Sequence, residues 1–128
     1  MRVLVSGDRH WPWSRHDVIK EALSWFDPKT TILIHGDADG ADRIAGTVAE
    51  KLLGWPKNHI YAVPAEWTKF GHAAGNIRNG KMLEKGKPDI VLAFHPNLWG
   101  DGEGERSKGT KHMVMIACAA DVPVLHYV

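Results

Sequence analysis

The chain has 128 residues, enough for one domain with a real core and too few for two. Hydrophobic residues make up 44% and charged residues 24%, the balance of an ordinary globular domain and not of a disordered chain or a membrane protein. Lys plus Arg number 16 against 15 for Asp plus Glu, a net charge of +1 that argues against nucleic acid as a partner, and the single Cys118 excludes an intramolecular disulfide and an all-cysteine zinc site.

Apolar runs and helical stripes alternate along the chain. Arg2 to Ser6 reads as a buried strand ending at Gly7, and Ser14 to Phe26 as a helix capped by Ser14, with Val18, Ile19, Ala22, Leu23 and Phe26 on one stripe. Thr31 to His35 is a second strand, closed by Gly36. Gly40 to Leu53 is the clearest helix, with Ala41, Ile44, Ala45, Val48, Ala49, Leu52 and Leu53 at i, i+3, i+4, i+7 spacing. Ile60 to Val63 is a short third strand. Gly71 to Lys85 is a weaker helix interrupted by Gly75 and Gly80, and Asp89 to Phe94 is a fourth strand. A polar segment from His95 to Lys108 precedes a helix from Thr110 to about Ala120 and a last strand from Val122 to Tyr127. No apolar run approaches a signal peptide or a membrane span, so a cytoplasmic protein with no membrane partner is the expectation.

Strands that are continuous apolar runs, joined by helices, mean a parallel sheet covered on both faces. The fold class is therefore α/β: a single doubly wound, Rossmann-like domain over residues 1–128 with a five-stranded, mostly parallel sheet. Ligands of such sheets bind at the carboxyl ends of the strands. Gly7, Gly36, Gly40, Gly71 and Gly109 fall at those junctions or at helix starts, where backbone N–H groups suit anions. Tight turns alone also explain junction glycines. There is no P-loop, no dinucleotide fingerprint, no nucleophile elbow and no His-Glu-x-x-His.

Four other motifs stand in order: Ser6-Gly7-Asp8-Arg9-His10-Trp11 after the first strand, and His35-Gly36-Asp37-Ala38-Asp39-Gly40-Ala41-Asp42 after the second. Pro64-Ala65-Glu66-Trp67 leads into Ala74-Gly75-Asn76-Ile77-Arg78-Asn79 and Met82, and Lys108-Gly109-Thr110 opens the last helix. This combination resembles the SLOG superfamily, the Rossmann-like group that also holds the LOG cytokinin-activating enzymes and DprA, and within it the small bacterial and phage branch related to YspA. The resemblance implies strand order 3-2-1-4-5 and a site at the crevice between strands one and four.

Gly7, Asp8, Arg9, His35, Gly36, Asp42, Trp67, Arg78, Asn79, Lys108, Gly109 and Thr110 are the candidate ligand-binding residues. Arg9 suits a bidentate phosphate clamp; the competing reading is a solvated arginine, or one bridged to Asp8 or Asp42. Arg78-Asn79 matches a pair that belongs to the site region in the family. Asp42, in a first helical turn, is either a brace or a ribose ligand. Trp67 and Phe70 either stack on a base or plug the core. Asp37, Asp39 and Asp42 fit Asx-turn chemistry, and His10, His35, His95 and His112 lack close ligand spacing, so no metal and no cofactor are expected. One or two of these histidines are read as hydrogen-bonding a ligand. The segment from His95 to Lys108 reads as a lid, with Arg106 and Lys108 bringing positive charge.

In the LOG enzymes a glutamate three residues beyond the Gly-Thr pair acts on the glycosidic bond, and here that position is Met113. A thioether is no general base, so the resemblance puts LOG-type phosphoribohydrolysis in doubt, and Glu66 and Asp42, with Asp8 behind them, are the remaining catalytic candidates. The expected function is binding of a nucleotide or nucleotide-derived small molecule, ADP-ribose-like or cyclic, as a sensor or sequestering module. In a phage this would act against a host nucleotide signal. The alternative is a LOG-like hydrolase cleaving an N-glycosidic or phosphate bond. Six tryptophans exceed what so small a core absorbs, so a homodimer or higher homo-oligomer is expected, with Trp25 or Trp55 at a symmetric contact.

Overall fold

The computed structural model describes residues 1–99 and 104–128, with side chains described for 1–99 and 108–128. In chain order its strands and helices are β1 (Arg2–Gly7), α1 (His16–Ser24), β2 (Ile32–His35), α2 (Ala41–Thr47), β3 (Ile60–Ala62), α3 (Trp67–Phe70), α4 (Ala74–Gly86), β4 (Ile90–Phe94), α5 (Gly104–Ala119) and β5 (Val124–Tyr127). The five strands form one all-parallel sheet in the order β3-β2-β1-β4-β5. That is the doubly wound sheet read from the apolar runs, parallel throughout, in the strand order that the family resemblance implied.

Period-2 alternation divides each strand between two helical layers. Val3, Val5, Leu33, Leu92 and Phe94 pack with Ile19, Leu23, Ile44 and Val48 of the α1–α2 side. Leu4, Ile34 and Val91 pack with Met82, Met113 and Ala117 of the α4–α5 side. Both faces are covered along β1, β2 and β4, which is why these strands read as unbroken apolar runs, whereas the edge strands β3 and β5 are partly exposed. Among the described residues no helix is long and apolar enough to cross a membrane.

Three element boundaries differ from the sequence reading, each for a tertiary reason. Ser14 caps nothing: a 3-10 turn over Trp13–Arg15 precedes α1, whose N-cap is Arg15 without a side-chain bond. Buried Trp11 sets this turn, donating from Nε1 to the Arg15 carbonyl at 3.0 Å while the Arg15 guanidinium lies 4.4 Å over its ring. The helix through α2 ends as a π turn over Val48–Leu52, with Leu53 N donating to Val48 O at 3.0 Å. The backbone then turns back, Trp55 N donating to Ala49 O at 2.8 Å, and Trp55 is buried in the core. Trp55 is thus removed from any subunit contact, and Trp25 alone of the expected pair stays on the surface.

The third difference is α5, which begins at Gly104, six residues before Thr110. Residues 104–109 carry no apolar side chain, so no stripe announced that turn. The helix thus takes in residues 104–108 of the segment expected to be irregular, and the lid reading falls largely on 100–107, outside the described side chains.

Candidate functional site

The sheet runs β1 to β2 to β3 on one side and β4 to β5 on the other, so the loops after β1 and β4 diverge and open a crevice at their carboxyl ends. Asp8 N extends the ladder past Gly7 by donating to Phe94 O at 2.8 Å, and Asp8 O in turn accepts from Ala41 N at 3.1 Å. The loop after β2 therefore sits directly on the loop after β1. Gly40 makes that approach possible: its φ is +77°, and a Cβ there would run into the Asp8–Arg9 backbone. The Asp8 carboxylate accepts from His10 N at 2.9 Å and so braces its own turn.

Asp42, buried in the first turn of α2, accepts from Gly36 N at 3.0 Å and from Ala38 N at 3.5 Å. From the opposite layer, Arg78 Nη1 donates to Gly36 O at 2.5 Å, and Arg78 Nε donates to Asn79 Oδ1 at 3.0 Å. Asn79 Nδ2 donates to Gly109 O at 3.1 Å and lies 3.1 Å from His112 Nδ1. A continuous chain of hydrogen bonds thus ties the loop after β2 to α4 and to α5. Each member is partnered, so the network holds Arg78 in one place.

Burial pushes the Asp42 carboxyl up to about 7, against the pull of Arg78 and of the Ala38 and Gly36 N–H groups. Burial also lowers the Arg78 guanidinium, with Asp42 opposing. His35 is lowered by burial, with Asp37 raising it.

Gly7, Arg9, Asp42, Arg78, Asn79, Gly109 and Thr110 come together on the wall of one polar cavity of about 60 Å³. Gly36 lies behind Arg78: a Cβ at that position would occupy the guanidinium's place. Arg9 is exposed and enters none of the ion pairs among the described residues, neither with Asp8 nor with Asp42. Two guanidinium groups on so small a wall favour a small anion such as a single phosphate, and the Asp42 carboxyl beside them is compatible with one only while it holds its proton. Ligand pockets that enclose a whole drug-sized molecule run to about 300–1,000 Å³, so any larger ligand must lie mostly outside this one.

The remaining candidates stand off the wall. His35 is turned under α2, with Nδ1 accepting from Asp37 N at 3.0 Å and Nε2 filling the space beside Gly46. Glu66 is half exposed and faces Lys81 at 3.8 Å and Lys69 at 4.0 Å. Trp67 packs its ring edge over Gly75, and Lys108 is exposed beyond the cavity. Asp37 and Asp39 turn outward to Arg43, at 3.4 and 2.8 Å, while Asp42 turns inward, so the three aspartates diverge. Met113 is buried against Leu4 and Met82 in the apolar layer. Ser6, Ala38 and Met82 also line the cavity; Ser6 and Ala38 stood inside the quoted motifs, but nothing in their chemistry marked them out.

A family model described as YspA, cpYpsA-related SLOG family matches residues 1–70. Gene 61 protein of Mycobacterium phage D29 is 32% identical over 134 residues, covering 98% of this chain and 95% of that protein. Among solved structures, DNA processing protein A from Helicobacter pylori, described for its single-stranded DNA binding mode, matches with a TM-score of 0.62 at 16% identity. That match covers 98% of this chain, which spans only 64% of the length of that structure. The fold of this chain is therefore shared with a protein that meets single-stranded DNA, and this overturns the expectation that nucleic acid is disfavoured as a partner. Net charge averages the whole surface, so a value of +1 does not by itself decide against a partner that meets only a local set of cations. The family match ends before α4, so Arg78, Asn79, Gly109 and Thr110 come from the part of the chain beyond it. By that match and by its full-length likeness to the phage protein, the chain belongs to the YspA, cpYpsA-related SLOG family.

Proposed function

We propose that this protein is a single-domain binding module for a nucleotide or nucleotide-derived molecule, ADP-ribose-like or cyclic, whose phosphate enters the crevice between β1 and β4. The observation that carries this reading is the pairing of a fixed guanidinium, Arg78, with an exposed one, Arg9, that enters no ion pair among the described residues, on a small polar cavity at the sheet's switch point. Arg78 supplies a preorganised donor set, and Arg9 closes on the anion from the β1 side. Asn79 holds the Arg78 plane. On this reading the module sequesters a nucleotide signal in the cytoplasm, and in a phage, the source of one relative, that signal would be the host's.

Binding without turnover is part of the proposal. The position where LOG enzymes keep their glutamate is filled by Met113, which belongs to the apolar core. The carboxyl group on the cavity wall is Asp42, and its oxygen is already engaged by two backbone N–H groups. A second reading, a phosphate of single-stranded nucleic acid in the same cavity, is supported by the likeness to the Helicobacter protein.

Calorimetric titration with AMP, ADP-ribose, cyclic nucleotides and a short single strand tests these readings. Arg78→Ala is expected to weaken binding by about 1.5–3 kcal/mol, the range for a charge-assisted hydrogen bond. Equal affinity in the variant defeats the assignment. Chromatography of the released ligand should return it intact; free base or ribose phosphate, lost in Asp42→Asn, would establish the hydrolase instead.

A further inference from the structure

The cavity takes a phosphate and no more, so the rest of a ligand lies against the surface beside it. Gly75, Arg78, Asn79 and Met82 fall at i, i+3, i+4 and i+7 on α4 and share one face. The last three line the cavity. Gly75 continues that row outward, about 4.5 Å along the helix axis from Arg78. What lies over Gly75 is the Trp67 indole: its Cη2 is 3.5 Å from where a Cβ on Gly75 would stand. The indole is 56% exposed, which rules out a core plug.

Trp67 is nevertheless not on a loose loop. It begins α3, whose single turn is closed by Phe70 N and Lys69 N donating to Glu66 O at 2.9 and 3.1 Å. The Glu66 carboxylate reaches Lys81 of α4 at 3.8 Å, and Lys81 Nζ lies 5.9 Å from the Phe70 ring centroid. α3 is thus strapped to α4, and its uncovered aromatic is held one helical turn from the phosphate-holding arginine. In a nucleotide the phosphate and the base are separated by one sugar, a span of the same order as that turn. Glu66 does not repel the ligand, since two lysines already face it.

We propose that Trp67 is the base platform of the site, so that the ligand unit recognised is a nucleoside monophosphate, with its phosphate at Arg78 and its base stacked on the indole. This rests on the reading of the cavity as a phosphate site. Aromatic stacking is tolerant of base identity and contributes through area rather than hydrogen-bond readout. A free nucleotide and the terminal nucleotide of a strand share this chemistry.

The test is calorimetry with AMP and with ribose 5-phosphate, on the wild-type protein, Trp67→Ala and Trp67→Phe. The wild type is expected to bind AMP on the order of 10- to 100-fold more tightly than ribose 5-phosphate, the range base stacking provides. Trp67→Ala should erase that preference and leave ribose 5-phosphate binding unchanged, while Trp67→Phe keeps most of it. Ribose 5-phosphate bound as tightly as AMP by the wild type, or a preference that survives in Trp67→Ala, overturns the platform and leaves the phosphate site standing. Failure of both compounds to bind overturns the phosphate site and the platform together. A 5′-phosphorylated oligodeoxyadenylate completes the set. Tighter binding than AMP with the same Trp67 dependence assigns the platform to a strand end, and weaker binding assigns it to a free nucleotide.

Discussion

Arg78 and Gly36, 42 residues apart in the chain, meet at 2.5 Å, the guanidinium Nη1 donating to the glycine carbonyl across the mouth of the crevice. The contact exists because residue 36 has no side chain. A Cβ there would take the place of the guanidinium and stand 2.9 Å from Asp42 Oδ2. Gly36→Ala is therefore expected to fold, since the clash falls first on the far end of the Arg78 side chain and not on backbone, with a stability loss of about 1 kcal/mol for the displaced hydrogen bond. Its ligand affinity should fall as far as that of Arg78→Ala. Thermal unfolding and calorimetry check the two halves; wild-type affinity in Gly36→Ala would mean that the position of Arg78 does not matter to binding.

Asp42 makes stability depend on pH in an unusual direction for an aspartate. Its carboxyl rises from 3.8 to about 7 on folding. Between those values the native state holds a proton that the unfolded chain has shed, so this group's contribution falls as pH rises from about 4 to about 7. His35 works the other way, because its lowered pKa costs stability as pH falls below 6.5. Comparing the wild type with Asp42→Asn cancels the histidine, and the amide oxygen still accepts from Gly36 N. Asp42→Asn should gain roughly 2–4 kcal/mol on the wild type between pH 4 and pH 8. Urea unfolding at both pH values measures the gain, and a difference that is flat or runs in reverse would show that Asp42 titrates normally.

Gly40→Ala should be far more damaging than Gly36→Ala. Residue 40 sits at φ +77° and ψ −129°, and the atoms its Cβ would strike are backbone atoms of Asp8 and Arg9. Backbone strain of this kind costs of order 1–3 kcal/mol before the clash is counted. A loss of about 3 kcal/mol or more in denaturant unfolding is expected. A near-neutral result would mean that the two loops separate without penalty.

Trp25 is 82% exposed at the end of α1 and makes no contribution to the core. Self-association at micromolar concentration through this side chain is expected. Trp25→Ser should then shift light scattering toward the monomer while changing stability by less than about 0.5 kcal/mol. A monodisperse wild-type monomer would remove Trp25 from any symmetric contact.

The sequence by itself determined the sheet and the edge where the site lies. A parallel sheet buried on both faces needs continuous apolar strands, and runs such as Val3-Leu4-Val5 and Ile32-Leu33-Ile34 have no other simple reading. Because the strands run the same way, the residues that follow them gather at one edge, which is how Gly7, Arg9, Asp42 and Gly109 were legible as neighbours. Only the tertiary structure decided which polar side chains turn into the crevice. His35 and Asp42 stand in one motif, yet one is folded under α2 and the other lines the cavity. Apolar periodicity records the face a helix buries, whereas a polar side chain in a loop goes where the neighbouring loop leaves room. That room was set by contacts between distant segments: Gly40 against Asp8 and Arg9, Arg78 across Gly36, and Trp67 over Gly75.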